Sequence, residues 1–261
     1  MKKTLLATCL FVAAASSPPD ALAGSIDALS NQSAAYIRTF SRNSATDEAD
    51  IVSYNPAGTA WLGDGLFLNL NNQTILKKYE IAHRGETFSA DTPSLAVPSL
   101  YAVYKRNDLA AFFSFTVPAG GGSLDYKKGV PFLEPLGLKV VAPDGVEPFK
   151  ASVHPQDGYF KGSSMFLAPA LGAAYRFFDM VSVSAGLRLV YASKAYEGAA
   201  TFQAAPDKDA AGNVTKEYAA VRASLDSTKT AVGLGGIFGV HVRPLRGLDV
   251  ALRYEMETPL E

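Results

Sequence analysis

The sequence predicts an all-β fold, a transmembrane antiparallel β-barrel with an N-terminal plug segment, and three observations carry the prediction. Long stretches alternate apolar with small or polar residues at period two. The connections between them alternate long and short. No apolar run is long enough to cross a bilayer as a helix.

In chain order, residues 1–23 read as a Sec signal peptide. Lys2 and Lys3 precede an apolar run from Thr4 to Ala15, and Ala21-Leu22-Ala23 supplies a cleavage site near Ala23. Cys9, the single cysteine, lies in that run behind Thr8, a poor lipobox residue. The mature chain is therefore expected to offer no disulfide or thiol nucleophile. Residues 24–62 read as a plug. Ile26, Leu29, Ser33, Tyr36, Ile37 and Phe40 recur at helical spacing, and Asp47, Glu48 and Asp50 make an acidic passage. The motif Asn55-Pro56-Ala57-Gly58 follows. Asn caps a helix N-terminus and Pro suits the first helical position, so a tight turn or single-turn helix is expected before Gly63-Asp64-Gly65 swings into the first strand.

Residues 63–261 read as barrel strands, at about 66–82, 95–105, 109–118, 160–177, 181–197, 218–242 and 248–257. Leu66, Leu68 and Leu70 oppose Phe67, Asn69 and Asn71. Leu171, Ala173, Tyr175 and Phe177 oppose Gly172, Ala174 and Arg176, and Leu248, Val250, Leu252 and Tyr254 oppose Asp249, Ala251, Arg253 and Glu255. A soluble sandwich alternates too, with its apolar face against another sheet. The small Gly- and Ala-rich opposite face suits a crowded lumen better than an open surface. The connections near 107, 179 and 245 are tight, whereas those at 83–94, 119–159 and 198–217 are long, which matches short periplasmic turns and longer external loops. Tyr101, Tyr104, Tyr175, Phe177, Tyr191 and Tyr254 fall near strand ends, as an aromatic girdle would. Seven strands leave the last one running outward, so the sequence is expected to be the first half of a longer barrel, because single-chain bacterial barrels have even strand numbers.

With these residues in place, the chain resembles the FadL/TodX family of outer-membrane transporters for long-chain fatty acids and other hydrophobic compounds. The resemblance rests on "SNQSAAYIRTFSRNSATDEADIVSYNPAGTA", on the strand that follows it at once, and on "FFSFTVPAGGG". It implies a fourteen-stranded barrel closed by an N-terminal hatch, a kinked third strand that opens a lateral exit, and passive passage of the substrate. It further implies a hydrophobic small molecule such as a fatty acid, outer-membrane lipid and lipopolysaccharide as partners, and a monomer when full length.

Candidate substrate-binding residues follow from position. Phe132, Leu133, Leu136 and Leu138 form an apolar cluster in a long loop, suited either to capture or to a small core of the loop's own. Arg176, Arg188 and Arg253 share the lumen-facing parity, available to a substrate carboxylate, to Asp47, Glu48 or Asp50, or to Glu255. Pro118 and Gly120 end the third strand and are the candidates for a kink.

Other function classes find little support. A formal net charge of -1 without a basic block argues against nucleic acid as a partner. His83, His154 and His241 have no metal-ligand spacing, with His83 and His154 expected in loops; Gly162-Ser163-Ser164-Met165 lacks the closing Gly of a nucleophile elbow; Gly233-Leu234-Gly235-Gly236 precedes no helix. The expectation is no enzyme, cofactor, metal or catalytic residue. A general porin and a secreted soluble β-rich lipid-binding protein are the alternatives.

Overall fold

Alternating residues become strand because a pleated backbone sends successive side chains to opposite faces. The computed structural model describes residues 33–39, 42–131, 154–203, 206–208, 210–216 and 220–261. Residues 1–23, read above as a signal peptide, residues 24–32 of the expected plug, and the loop residues Phe132, Leu133, Leu136 and Leu138 lie outside the described residues.

The chain is all-β and antiparallel. A short helix α1 (Ala34–Thr39) and two 3-10 helices (Ala49–Ser53 and Pro56–Trp61) precede β1 (Gly65–Ile75), β2 (Tyr79–His83), β3 (Glu86–Ala90), β4 (Ser94–Arg106), β5 (Leu109–Thr116) and β6 (Gly120–Tyr126). Then come β7 (His154–Phe177), β8 (Val181–Gln203), β9 (Asp207–Lys208), β10 (Val214–Lys216), β11 (Val221–Leu245) and β12 (Leu248–Glu255). The main sheet has the order β1-β4-β5-β7-β8-β11-β12, with β6 paired to β7 alone. Neighbours in the sheet run antiparallel; the β11–β8 register is unbroken from Val221↔Phe202 to Val242↔Val181, whereas β1–β4, β6–β7, β7–β8 and β11–β12 each contain a register shift. The tight turns carry left-handed residues, Asn107 (φ 55), Phe178 (φ 53) and Gly247 (φ 84), all at one end of the sheet.

One face of this sheet exposes a band of large apolar side chains. Leu70 is 78% exposed, Leu252 69% and Leu171 63%, and Leu66, Leu68, Leu187, Leu234 and Tyr254 share that outer face. The inner face buries the N-terminal segment. Ala49, Ile51, Val52, Ala60 and Leu62 of that segment pack against Tyr101, Val103, Ala110, Phe112 and Ala174 of β4, β5 and β7. Asn71 Oδ1 accepts from the Ala34 N–H at 3.1 Å, which brings β1 to the same segment. One segment thus meets strands across the sheet, and the sheet must bend round it.

Several boundaries differ from expectation, among them that of β8, which runs to Gln203 rather than 197, so the connection expected at 198–217 begins within the sheet and carries the β9–β10 pair. The first strand stops at Ile75 rather than running to 82, because Leu76-Lys77-Lys78 breaks the alternation and β2 and β3 form a separate hairpin on Arg84 (φ 49) and Gly85 (φ 82). That hairpin adds Phe88 and Ala90 to a second cluster with Tyr126, Val130, Phe160, Ala200 and Phe202. His83 and His154 accordingly stand in strands β2 and β7, not in loops. The third strand resumes after its break as β6, a segment expected to be loop.

Small residues on the inner face make room for large ones. Phe112 pairs in register with Gly172, which itself faces Gly186, and a Cβ on Gly172 would come within 2.5 Å of the Phe112 ring. Gly172→Ala should therefore cost about 1–3 kcal/mol through overpacking. Gly63→Ala, where a Cβ meets nothing within 4 Å, should cost far less. Denaturant midpoints of the two variants, measured side by side, check the difference.

Candidate functional site

The Asn55-Pro56-Ala57-Gly58 turn forms as its chemistry requires. The Asn55 side chain accepts from the Gly58 N–H at 3.1 Å, and Pro56 occupies the first position of the 3-10 helix. A Cβ on residue 58 would collide with the Asn55 amide and approach the Ala45 carbonyl oxygen to 2.8 Å, so only glycine fits. The turn is seated on three strands. Ser182 Oγ of β8 donates to the Ala57 carbonyl at 2.7 Å and accepts from Trp61 Nε1–H at 2.8 Å. Gly239 of β11 leaves space for Pro56, whose Cγ lies 3.1 Å from where its Cβ would be. Asn55 Nδ2 donates to His241 Nδ1 at 2.8 Å, and His241 Nε2 lies 2.9 Å from Asp249 Oδ1.

Guanidiniums complete this seat. Arg243 Nε donates to Asp249 Oδ1 at 2.5 Å, and its Nη2 donates to Thr46 Oγ1 at 2.7 Å. The same group lies 4.2 Å from the Trp61 ring centroid, and Arg176 lies 5.3 Å from it.

The segment holds itself together by its own ion pairs. Buried Arg42 pairs with buried Asp50, which also accepts from Ser33 Oγ, and with Asp47 at 2.7 Å. Burial alone would lower the Arg42 pKa, but the two carboxylates outweigh it and raise it, so the group stays charged. Partial burial pushes the Asp47 carboxyl up, yet its bond to Arg42 prevails and holds it below the ordinary carboxylate value. Glu48 pairs with Arg38.

These pairings decide where the predicted arginines go. Asp47, Glu48 and Asp50 serve Arg42 and Arg38, so pairing of the strand arginines with these carboxylates is replaced by pairing along the sheet. Arg176 is tied to Asp108 through Nε (3.0 Å) and Nη2 (2.7 Å). Arg188 and Arg253 both pair with Glu255. Those last two line a cavity of about 270 Å³ between the N-terminal segment (Val52, Ser53, Tyr54) and the sheet (Ser114, Thr116, Pro118, Ala168, Ala170, Ile237). Two cations share one carboxylate there. Each arginine keeps a buried Nε–H without a hydrogen-bond partner among the described residues.

The break predicted at Pro118 adjoins the cavity. β5 pairs with β7 as far as Thr116↔Ala168, the regular ladder lapses at Val117-Pro118, the Ala119 carbonyl accepts from the Phe166 N–H of β7 at 3.1 Å, and β6 resumes from Gly120↔Met165 with Gly120 at φ 79 and Gly122 at φ 151. A Cβ on Gly120 would lie 2.5 Å from the Ser164 carbonyl carbon, so the close approach needs glycine. β4 pairs with β5 only as far as Leu100↔Phe115, and its residues nearer Ser94 have no ladder with β6. Sequence reasoning found the turn and the break. It gave no role to His241, Arg243 or Ser182, whose partners come from distant segments.

No protein-family model matches the chain, and no curated protein is found similar to it.

Breaking the buried pair should loosen the seated segment. Asp50→Asn leaves buried Arg42 with the more exposed Asp47 as its remaining charge partner and should cost about 1–3 kcal/mol. Asp47 is depressed in the folded state, so its contribution is present above the unfolded value of about 4 and lost as pH falls through its lower folded value. A denaturant series repeated at several acid pH values checks both.

Proposed function

We propose that this chain forms the lipid-facing wall and the plug of an outer-membrane barrel that passes hydrophobic compounds, with long-chain fatty acids as the foremost substrate class. One observation carries the reading: a band of large apolar side chains stands on the exposed face, while the opposite face, small or polar outside the patch of Tyr101, Val103 and Phe112, is covered by the chain's own N-terminal segment. A secreted soluble β protein would have to leave that apolar face in water. An open porin would leave its lumen to water, whereas residues 33–39 and 42–62 lie against the inner face here.

The cavity supplies the chemistry such a path needs. Arg188 and Arg253, with one carboxylate between them, favour an anionic head group, and Val52, Pro118, Ala168, Ala170 and Ile237 favour the tail. The break between β5 and β6 beside Pro118 offers a route from cavity to bilayer that avoids water. Passage is downhill, with plug displacement and lateral release as its steps. The resemblance to FadL/TodX transporters agrees with this order of events.

Gel migration and uptake test the proposal together. The full chain in outer membranes should give a band that shifts on boiling, and a soluble product with no shift would overturn the membrane reading. Arg188→Gln with Arg253→Gln should reduce uptake of a long-chain carboxylate about tenfold or more, while uptake of an uncharged hydrocarbon falls far less. Equal loss for both substrates would remove the head-group assignment.

A further inference from the structure

The hydrogen bonds between plug and wall at His241 have a fixed direction. The Asn55 amide donates from Nδ2 to the Ala45 carbonyl at 3.0 Å and accepts at Oδ1 from the Gly58 N–H at 3.1 Å, which sets the way it faces. Its other N–H points at His241 Nδ1, 2.8 Å away, so that nitrogen must accept. The single ring proton of neutral His241 then lies on Nε2, 2.9 Å from Asp249 Oδ1. His241 is fully buried, so no water relieves the arrangement.

A second proton on this ring has to go to Nδ1, where it meets the Asn55 NH₂, donor against donor. Turning the amide over would satisfy Nδ1–H. It would also set NH₂ against the Gly58 N–H and abandon the Ala45 carbonyl. The charged groups around the ring give no other relief. Asp249 of β12 is already shared with Arg243 of β11, and Arg176 of β7 brings a further positive charge over Trp61. β8 contributes neutral Ser182, and the plug contributes neutral Asn55, Trp61 and Thr46.

We propose that His241 is a proton-controlled latch for the plug: neutral, it holds the Asn55 turn on the wall, and protonated, it releases it. The unseated state then binds more protons, so seating weakens as pH falls, within the histidine range of about pH 5 to 8. This rests on the reading of residues 33–62 as a movable plug and adds what triggers the movement. His241 is a positioning residue, because it acts on the path through Asn55.

Trp61 reports on the latch. It is the chain's single tryptophan, its ring centroid lies 5.7 Å from that of His241, and it is bonded to Ser182. Acrylamide quenching of its fluorescence, in the full chain in detergent micelles, should be weak at about pH 8 and rise severalfold by about pH 5. His241→Gln offers an acceptor to Asn55 and a donor to Asp249 with no titrating proton, and should stay weakly quenched at both. Asn55→Asp, whose carboxylate accepts from a protonated ring, should move the rise to lower pH. A flat wild type, or an equal rise in His241→Gln, overturns the latch. Asn55→Ala separates the two readings. Strong quenching at both pH values beside a flat wild type means that the plug moves without proton control, whereas weak quenching throughout means that the segment does not move and the transport reading falls too.

Discussion

Most strands of the main sheet put large apolar side chains on the outside, β4 and β5 also keeping Tyr101, Val103 and Phe112 within, and the rest of the structure answers to that constraint. A strand has only two faces. Once Leu66, Leu171 and Leu252 point outward, the inner face holds apolar bulk on β4 and β5, at Tyr101, Val103 and Phe112, but small or polar residues such as Asn71, Ala174, Ser182 and His241 on other strands. The N-terminal segment completes it. Ile51, Val52 and Leu62 pack against the apolar residues of β4 and β5, and Asn55 and Trp61 bring donors to β8 and β11.

The two halves of that interior have different characters. Around Phe112 and Tyr101 the packing is apolar and close, with glycines set where the rings need space. Around Asn55 it is a chain of directed hydrogen bonds. Between the two lies the cavity with Arg188 and Arg253, where packing is incomplete and two guanidiniums share Glu255. A tight apolar contact resists partial opening, whereas a hydrogen-bond chain yields to a change at one member, which is why the polar half suits a controlled contact better.

Much of the fold was legible because alternation is local. The outer faces of β1, β7, β8 and β12, and the positions of three tight turns, follow from residues adjacent in sequence. The Asn55 turn was legible for the same reason, since its cap and its glycine lie within four residues. What was not legible depended on distance. Nothing near His241 announces that its ring accepts from Asn55, and nothing near Glu255 shows that it takes both Arg188 and Arg253. The β2–β3 hairpin was missed for another reason: the irregularity at Leu76-Lys77-Lys78 is short, and Ile75, Tyr79 and Ile81 keep the same parity on both sides of it.

Distance along the chain also governs the order of assembly. Asn55 and His241 are 186 residues apart, and Thr46 and Arg243 are 197 apart. Synthesis delivers the N-terminal segment well before β8, β11 and β12, which hold its partners, exist at all. Closing loops of that length is slow and costs entropy that only the finished sheet repays. The early segment must therefore wait, its polar groups bonded to water or to a helper protein, until the β11–β12 hairpin is laid down. The part of the chain made first is the part secured last.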